Sequence, residues 1–127
     1  MENKLIFVVD DDRIIQNLLE YTFNSRDGYK VKVFPSGEEC IKNLEMKPDI
    51  IVLDHLFLNG DNNSMSGMDT LIEIRKQDQI VPVIILSNQP NQEIVNSFFS
   101  NGATSYIPKE DYFVDNLIEA IEKVLTV

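Results

Sequence analysis

Leu5-Ile6-Phe7-Val8-Val9 is an unbroken apolar run that stops at Asp10-Asp11-Asp12, and this junction decides how the rest of the chain is read. A strand with one solvated face alternates apolar and polar side chains, whereas a strand covered on both faces has no reason to alternate. Five apolar residues ending in three carboxylates therefore predict a buried parallel strand that emerges at a polar edge. Asp12 is placed to cap a following helix, because its carboxylate can accept from the free N–H groups of the first turn.

Working outward, the same continuous pattern recurs at Ile50-Ile51-Val52-Leu53 and at Val83-Ile84-Ile85-Leu86. Tyr29-Lys30-Val31-Lys32-Val33-Phe34 alternates instead, and its lysines suit an edge strand, where charge discourages pairing with another chain. Ser105-Tyr106-Ile107 is short and predicts the other edge. Helical periodicity fills the gaps. Ile14, Leu18 and Thr22, with Ile15 and Leu19 beside them, predict an amphipathic first helix. Ser36-Gly37-Glu38-Glu39 reads as a capping box opening a second, and Leu71, Ile72 and Arg75 fit a third. Ile94, Val95, Phe98 and Phe99 form a fourth that stops at Asn101-Gly102, with one phenylalanine in the core and the other partly exposed. Leu117, Ile118, Ile121 and Leu125 stripe a fifth that starts near Asp111. Five βα units in succession imply an α/β domain with a doubly wound parallel sheet and right-handed crossovers. The irregular feature is a long polar loop from Asn59 to Ser66.

Composition narrows the function. The chain has 127 residues, near the commonest size for one domain, so residues 1–127 are read as a single domain with no output domain after the fifth helix. A net charge of −10, from 21 acidic and 11 basic residues, repels phosphate backbones and anionic lipid, so neither nucleic acid nor membrane is an expected direct partner. Cys40 has no second cysteine to pair with and reads as a small packing residue. The Leu5–Val9 run is too short for a signal peptide or a membrane span, and the expected location is cytoplasmic.

The informative residues fall at strand ends. Asp10 and Asp11 follow the first strand, Asp54 the third and Ser87 the fourth, and Lys109 lies just beyond the fifth. The carboxyl ends of strands in an open α/β sheet face one ligand crevice, so all of these converge. Carboxylates packed together repel unless a cation is present, and their hard oxygens suit Mg²⁺. Lys109 offers a point charge and Ser87 a hydroxyl to phosphoryl oxygens. Together they point to a transient acyl phosphate on Asp54.

Val8-Val9-Asp10-Asp11-Asp12, Pro48-Asp49-Ile50-Ile51-Val52-Leu53-Asp54, Pro82-Val83-Ile84-Ile85-Leu86-Ser87 and Gly102-Ala103-Thr104-Ser105-Tyr106-Ile107-Pro108-Lys109 resemble, in order, the four signatures of response regulator receiver domains. The resemblance covers essentially the whole chain and is nearest to stand-alone, chemotaxis-regulator-like members. It implies a flavodoxin-like (βα)5 fold with strand order 2-1-3-4-5. It implies that Asp54 is the phosphoacceptor and that Mg²⁺ is held by Asp10, Asp11, Asp54 and the backbone carbonyl of Leu56. Ser87 and Tyr106 correspond to the switch pair, and Lys109 to the phosphoryl-bridging lysine. The implied partners are a histidine kinase or phosphotransfer protein and a downstream target protein that reads the face made by helix 4, strand 5 and helix 5. A phosphorylation-dependent homodimer is left open. The chain is then a signalling phosphoacceptor, not an enzyme, with slow self-dephosphorylation because an apolar Leu56 cannot orient water.

Some positions depart from the family pattern. Gly67 lies farther beyond Asp54 than is usual, with no intervening proline, so the loop carries inserted residues. Glu110, not proline, follows Lys109, and Asn88 replaces a small residue after Ser87. His55, the only histidine, reads as a side chain beside the acceptor, and Phe99 or Tyr112 as candidates for a partner patch. The alternative function is a receiver-shaped interaction module that works without phosphorylation. A phosphatase with an aspartyl nucleophile would want a second acid where Leu56 stands, and a flavin carrier would not place Asp10-Asp11-Asp12 against a phosphate.

Overall fold

The computed structural model describes residues 3–54, 65–87 and 91–125. Strands β1 (Lys4–Val9), β2 (Tyr29–Phe34), β3 (Ile50–Asp54), β4 (Val83–Ser87) and β5 (Ser105–Pro108) alternate with helices α1 (Arg13–Asn24), α2 (Gly37–Lys42), α3 (Gly67–Gln77), α4 (Gln92–Ser100) and α5 (Phe113–Leu125). All pairings are parallel, in the order β2-β1-β3-β4-β5. This is the doubly wound, flavodoxin-like sheet expected from the sequence. The lysines of β2 are exposed on an edge strand, while every residue of β3 and β4 is buried.

The two-residue strand period divides the core into two layers. Ile6 and Val8 of β1 point toward α1 and α5, where they meet Leu19, Phe23, Leu117 and Ile121. Phe7 and Val9 point the other way, toward Cys40, Leu71, Ile74 and Phe98 on α2, α3 and α4. Phe7 and Phe34 meet edge to face at 4.7 Å between ring centres. Cys40 is fully buried, as a packing residue, and burial pushes its thiol up to about 12. Phe98 is in the core and Phe99 is partly exposed, as the helix period requires.

Helix starts follow local chemistry. The Asp12 carboxylate accepts from Ile14 N at 2.9 Å, and Asn91 accepts from Glu93 N at 2.9 Å. Ser36 Oγ accepts from Glu39 N at 3.3 Å, but the complete reciprocal box is at Ser66 and Asp69, which the sequence reading missed. The first-helix stripe needs correcting by one position. Ile14 is 76% exposed and Leu18 38%, whereas Leu19 and Phe23 are fully buried and Ile15 packs against them. Two stripes at i, i+4 spacing lie side by side on this helix. The inward one carries Phe23, whose ring buries more apolar area than Thr22 can. Helix α5 begins at Phe113, two residues after Asp111, because a turn occupies the intervening positions.

The chain returns from the long loop against α2. Met65 N donates to a Glu38 carboxylate oxygen at 3.1 Å, and Gly37 lies so close to Thr70 that a Cβ there would collide with the Thr70 hydroxyl. His55, Leu56, Asn88 and positions 59–64 of the loop lie outside the described residues. Among the described residues no helix is long and apolar enough to cross a membrane.

Candidate functional site

The sheet brings its carboxyl ends together as the strand pattern requires. Asp54 pairs in register with Leu86, the residue before Ser87, and Val9 pairs with Leu53. Asp10 is held in place from both sides: its N–H donates to Phe34 O at 3.1 Å, and its Oδ1 accepts from Asp12 N at 2.9 Å. The carboxylates of Asp10, Asp11 and Asp54 offer oxygens that all lie within 4.8 Å of one another. Asp10 is 1% exposed and Asp54 4%.

Lys109 enters this cluster from the end of β5. Its backbone N–H donates to Ser87 O at 2.7 Å, which ties it to β4. Its ammonium then lies 3.0 Å from Asp10 Oδ2 and 2.8 Å from Asp54 Oδ1. Burial raises the Asp10 pKa despite the hydrogen bond from Asp12 and the Lys109 charge. Burial and the neighbouring Asp10 charge push Asp54 up to about 7. Burial works against the Lys109 charge, but the Asp54 and Asp10 carboxylates outweigh it and raise the Lys109 pKa. Three carboxylates thus crowd one ammonium, which pairs with Asp10 and Asp54. Hard carboxylate oxygens gathered this closely match a divalent cation that keeps part of its water shell.

Of the residues singled out in the sequence, Asp10, Asp11, Asp54 and Lys109 are therefore adjacent. Ser87 is buried at 2% exposure at the neighbouring strand end and contributes its carbonyl to the Lys109 anchor. Tyr106 is half-buried and packs on the α2–α3–α4 side of the sheet. The Leu56 carbonyl falls outside the described residues. Sequence reasoning placed Glu38 in a capping box but did not find its bond to Met65 N, because a contact to a residue 27 positions away carries no local signal.

The family model for the response regulator receiver domain matches residues 6–122. The alkaline phosphatase synthesis transcriptional regulatory protein PhoP of Bacillus subtilis is 34% identical over 84% of this chain and 42% of its own length. The probable C4-dicarboxylate response regulator DctR of the same organism is 31% identical over 93% of this chain and 50% of its length. The chain thus spans half or less of the curated relatives it matches. Among solved structures, the receiver domain of Francisella response regulator 1452 superposes with a TM-score of 0.80 at 27% identity, covering 96% of each chain. Vibrio cholerae chemotaxis protein CheY4 shares the fold, with a TM-score of 0.84 at 21% identity over 97% of this chain and 99% of its own. Buried strand-end carboxylates, the lysine that crosses them and a family match along nearly the whole sequence lead to one conclusion: this chain belongs to the response regulator receiver domain family of two-component signalling.

Proposed function

We propose that the chain works as a phosphorylation switch, with Asp54 accepting a phosphoryl group from a histidine kinase or phosphotransfer protein. The observation that carries this reading is the Lys109 ammonium lying between Asp10 and Asp54 inside a three-carboxylate cluster. An Asp54 carboxylate oxygen attacks the phosphorus of a phosphohistidine. The P–N bond breaks, an acyl phosphate forms on Asp54, and the imidazole nitrogen leaves with the electron pair and gains a proton from solvent.

Asp10, Asp11 and Asp54 have the donor type and the proximity to hold Mg²⁺. Bound there, the ion would neutralise charge on the phosphoryl oxygens. The chain's own groups do the rest. Asp10 keeps Lys109 at the site when Asp54 becomes phosphorylated, so its ammonium remains beside the new phosphoryl oxygens. Ser87 supplies a hydroxyl from the next strand, and Tyr106 is the aromatic partner whose movement would report on it. A downstream protein would read the changed α4–β5–α5 face, so phosphate and partner favour the same conformation. In this role the chain is a signalling acceptor that turns over only through slow loss of its own phosphate.

The test is incubation with Mg²⁺ and acetyl phosphate, followed by intact-mass measurement of the wild type and Asp54→Ala. A Mg²⁺-dependent, hydroxylamine-labile adduct in the wild type alone supports the switch. No adduct in either protein favours an interaction module that works without phosphorylation.

A further inference from the structure

We infer that the left-handed backbone at Tyr112 is the positioning element that holds the Lys109 ammonium across Asp10 and Asp54. This rests on the reading of Asp54 as phosphoacceptor for its functional consequence, but not for its geometry.

Tyr112 has φ 68°, a region that glycine or asparagine enters easily and a bulky side chain does not. Tyr112 is 79% exposed, so packing of the side chain does not hold it there. The constraint comes from both ends of a short connection. On one side, Lys109 N is bonded to Ser87 O at 2.7 Å, and Glu110 N turns back onto Pro108 O at 2.9 Å. On the other, α5 is seated by fully buried Leu117 and Ile121. Only Glu110, Asp111 and Tyr112 join these fixed points.

Phe113 N donates to Glu110 O at 3.1 Å, closing a four-residue turn with Tyr112 in its third position. Positive φ at that position defines turns that normally carry glycine or asparagine. Tyr112 O also accepts from Asn116 N at 3.2 Å, so the same residue ends the turn and starts α5. No proline or glycine in 109–113 fixes the path by other means. If residue 112 relaxed to negative φ, the chain would leave the turn in another direction. With α5 seated by two fully buried side chains, the displacement would fall on the weaker end, the single Lys109 N–Ser87 O hydrogen bond, and the Lys109 ammonium would leave the carboxylates.

The experiment compares Tyr112→Gly and Tyr112→Asn, which accept positive φ, with Tyr112→Val, whose branched side chain resists it. With isotope-labelled lysine in the metal-free protein, the salt-bridged Lys109 ammonium gives a protected resonance that Lys109→Met identifies by its loss. That resonance should persist in the Gly and Asn variants and vanish or shift to the solvent-exposed position in Val, at temperatures where all remain folded. Phosphorylation by acetyl phosphate should slow about tenfold in Val and stay near wild type in Gly and Asn. The Val effect should disappear in the Lys109→Met background, since the two residues then act through one contact. An unchanged Lys109 resonance in a folded Val variant overturns the inference. So does an equal rate loss from Val with and without Lys109. A wild type that takes up no phosphate refutes the acceptor reading alone, and the ammonium resonance still decides the role of Tyr112.

Discussion

The two ends of this sheet use the same residue types to opposite effect. At the amino ends of the strands, polar side chains satisfy backbone groups. Asp49 accepts from Leu5 N at 2.8 Å, Thr104 from Val83 N at 3.0 Å, and Asp78 from Ile80 N and Val81 N at 2.9 and 3.0 Å. The hydrogen bonds from Ile80 and Val81 lower the Asp78 pKa. Arg75 donates from two nitrogens to Gly102 O, at 3.0 and 2.7 Å, and from a third to Asp78 O, joining α3 to the α4–β5 turn. At the carboxyl ends, Asp10 and Asp54 are buried beside each other with raised pKa values. One edge uses carboxylates to hold the fold; the other keeps them in an unfavourable arrangement that suits a cation and a phosphoryl group.

Substitutions should sharpen that contrast. The largest effect is at Asp54: replacing it with Ala removes phosphate uptake altogether, as measured by intact mass. Asp54→Asn should also stabilise the metal-free protein, because the folded-state pKa of about 7 exceeds the unfolded value near 4. Below about pH 4 both states of the wild type are protonated and Asp54 exerts no penalty. The penalty grows as pH rises toward about 7 and is complete above it. The Asn variant should therefore exceed the wild type by on the order of 1–2 kcal/mol at pH 8, with loss of the Lys109 pairing as an offset. The advantage should fade on acidification, as followed by chemical denaturation across pH.

At the other edge, Arg75→Ala should destabilise by about 2–3 kcal/mol, since Gly102 O loses a charged donor. Its acetyl phosphate rate should remain close to wild type at low temperature. A large rate loss with little destabilisation would show that the two edges are coupled. Smaller still, Asp78→Asn should cost about 1 kcal/mol near neutral pH. The Asp78 pKa is lowered in the fold, so its contribution is present above the unfolded value and declines as pH falls through the folded one. Denaturation midpoints of the pair should converge in acid. Finally, Leu56→Asn should shorten the lifetime of the phosphorylated form, since an amide can orient water and a leucine cannot; an unchanged decay rate would contradict this.

How much of this was legible in the sequence differs by type of feature. The strands were plain because continuous runs such as Ile50–Leu53 have no alternative packing on a parallel sheet. Asp10, Asp11, Asp54 and Lys109 were legible because strand ends fix position without any knowledge of side-chain geometry. The rotation of α1 was not: Ile14 and Leu18 repeat as well as Ile15 and Leu19, and only burial of Phe23 separates them. Arg75 was visible as a helix residue, but its bond to Gly102, 27 positions away, is a product of packing. Tyr112 carried no signal of positive φ, since neither glycine nor asparagine occurs in 109–113.

The central claim is that Asp54, rather than its acidic neighbours, carries the phosphoryl group. Treating the phosphorylated protein with borohydride reduces an aspartyl phosphate to homoserine, and peptide mass spectrometry then locates it. Homoserine at position 54, dependent on Mg²⁺ and acetyl phosphate, is the predicted result. Homoserine at position 10 or 11, or at none of the three, would contradict the account.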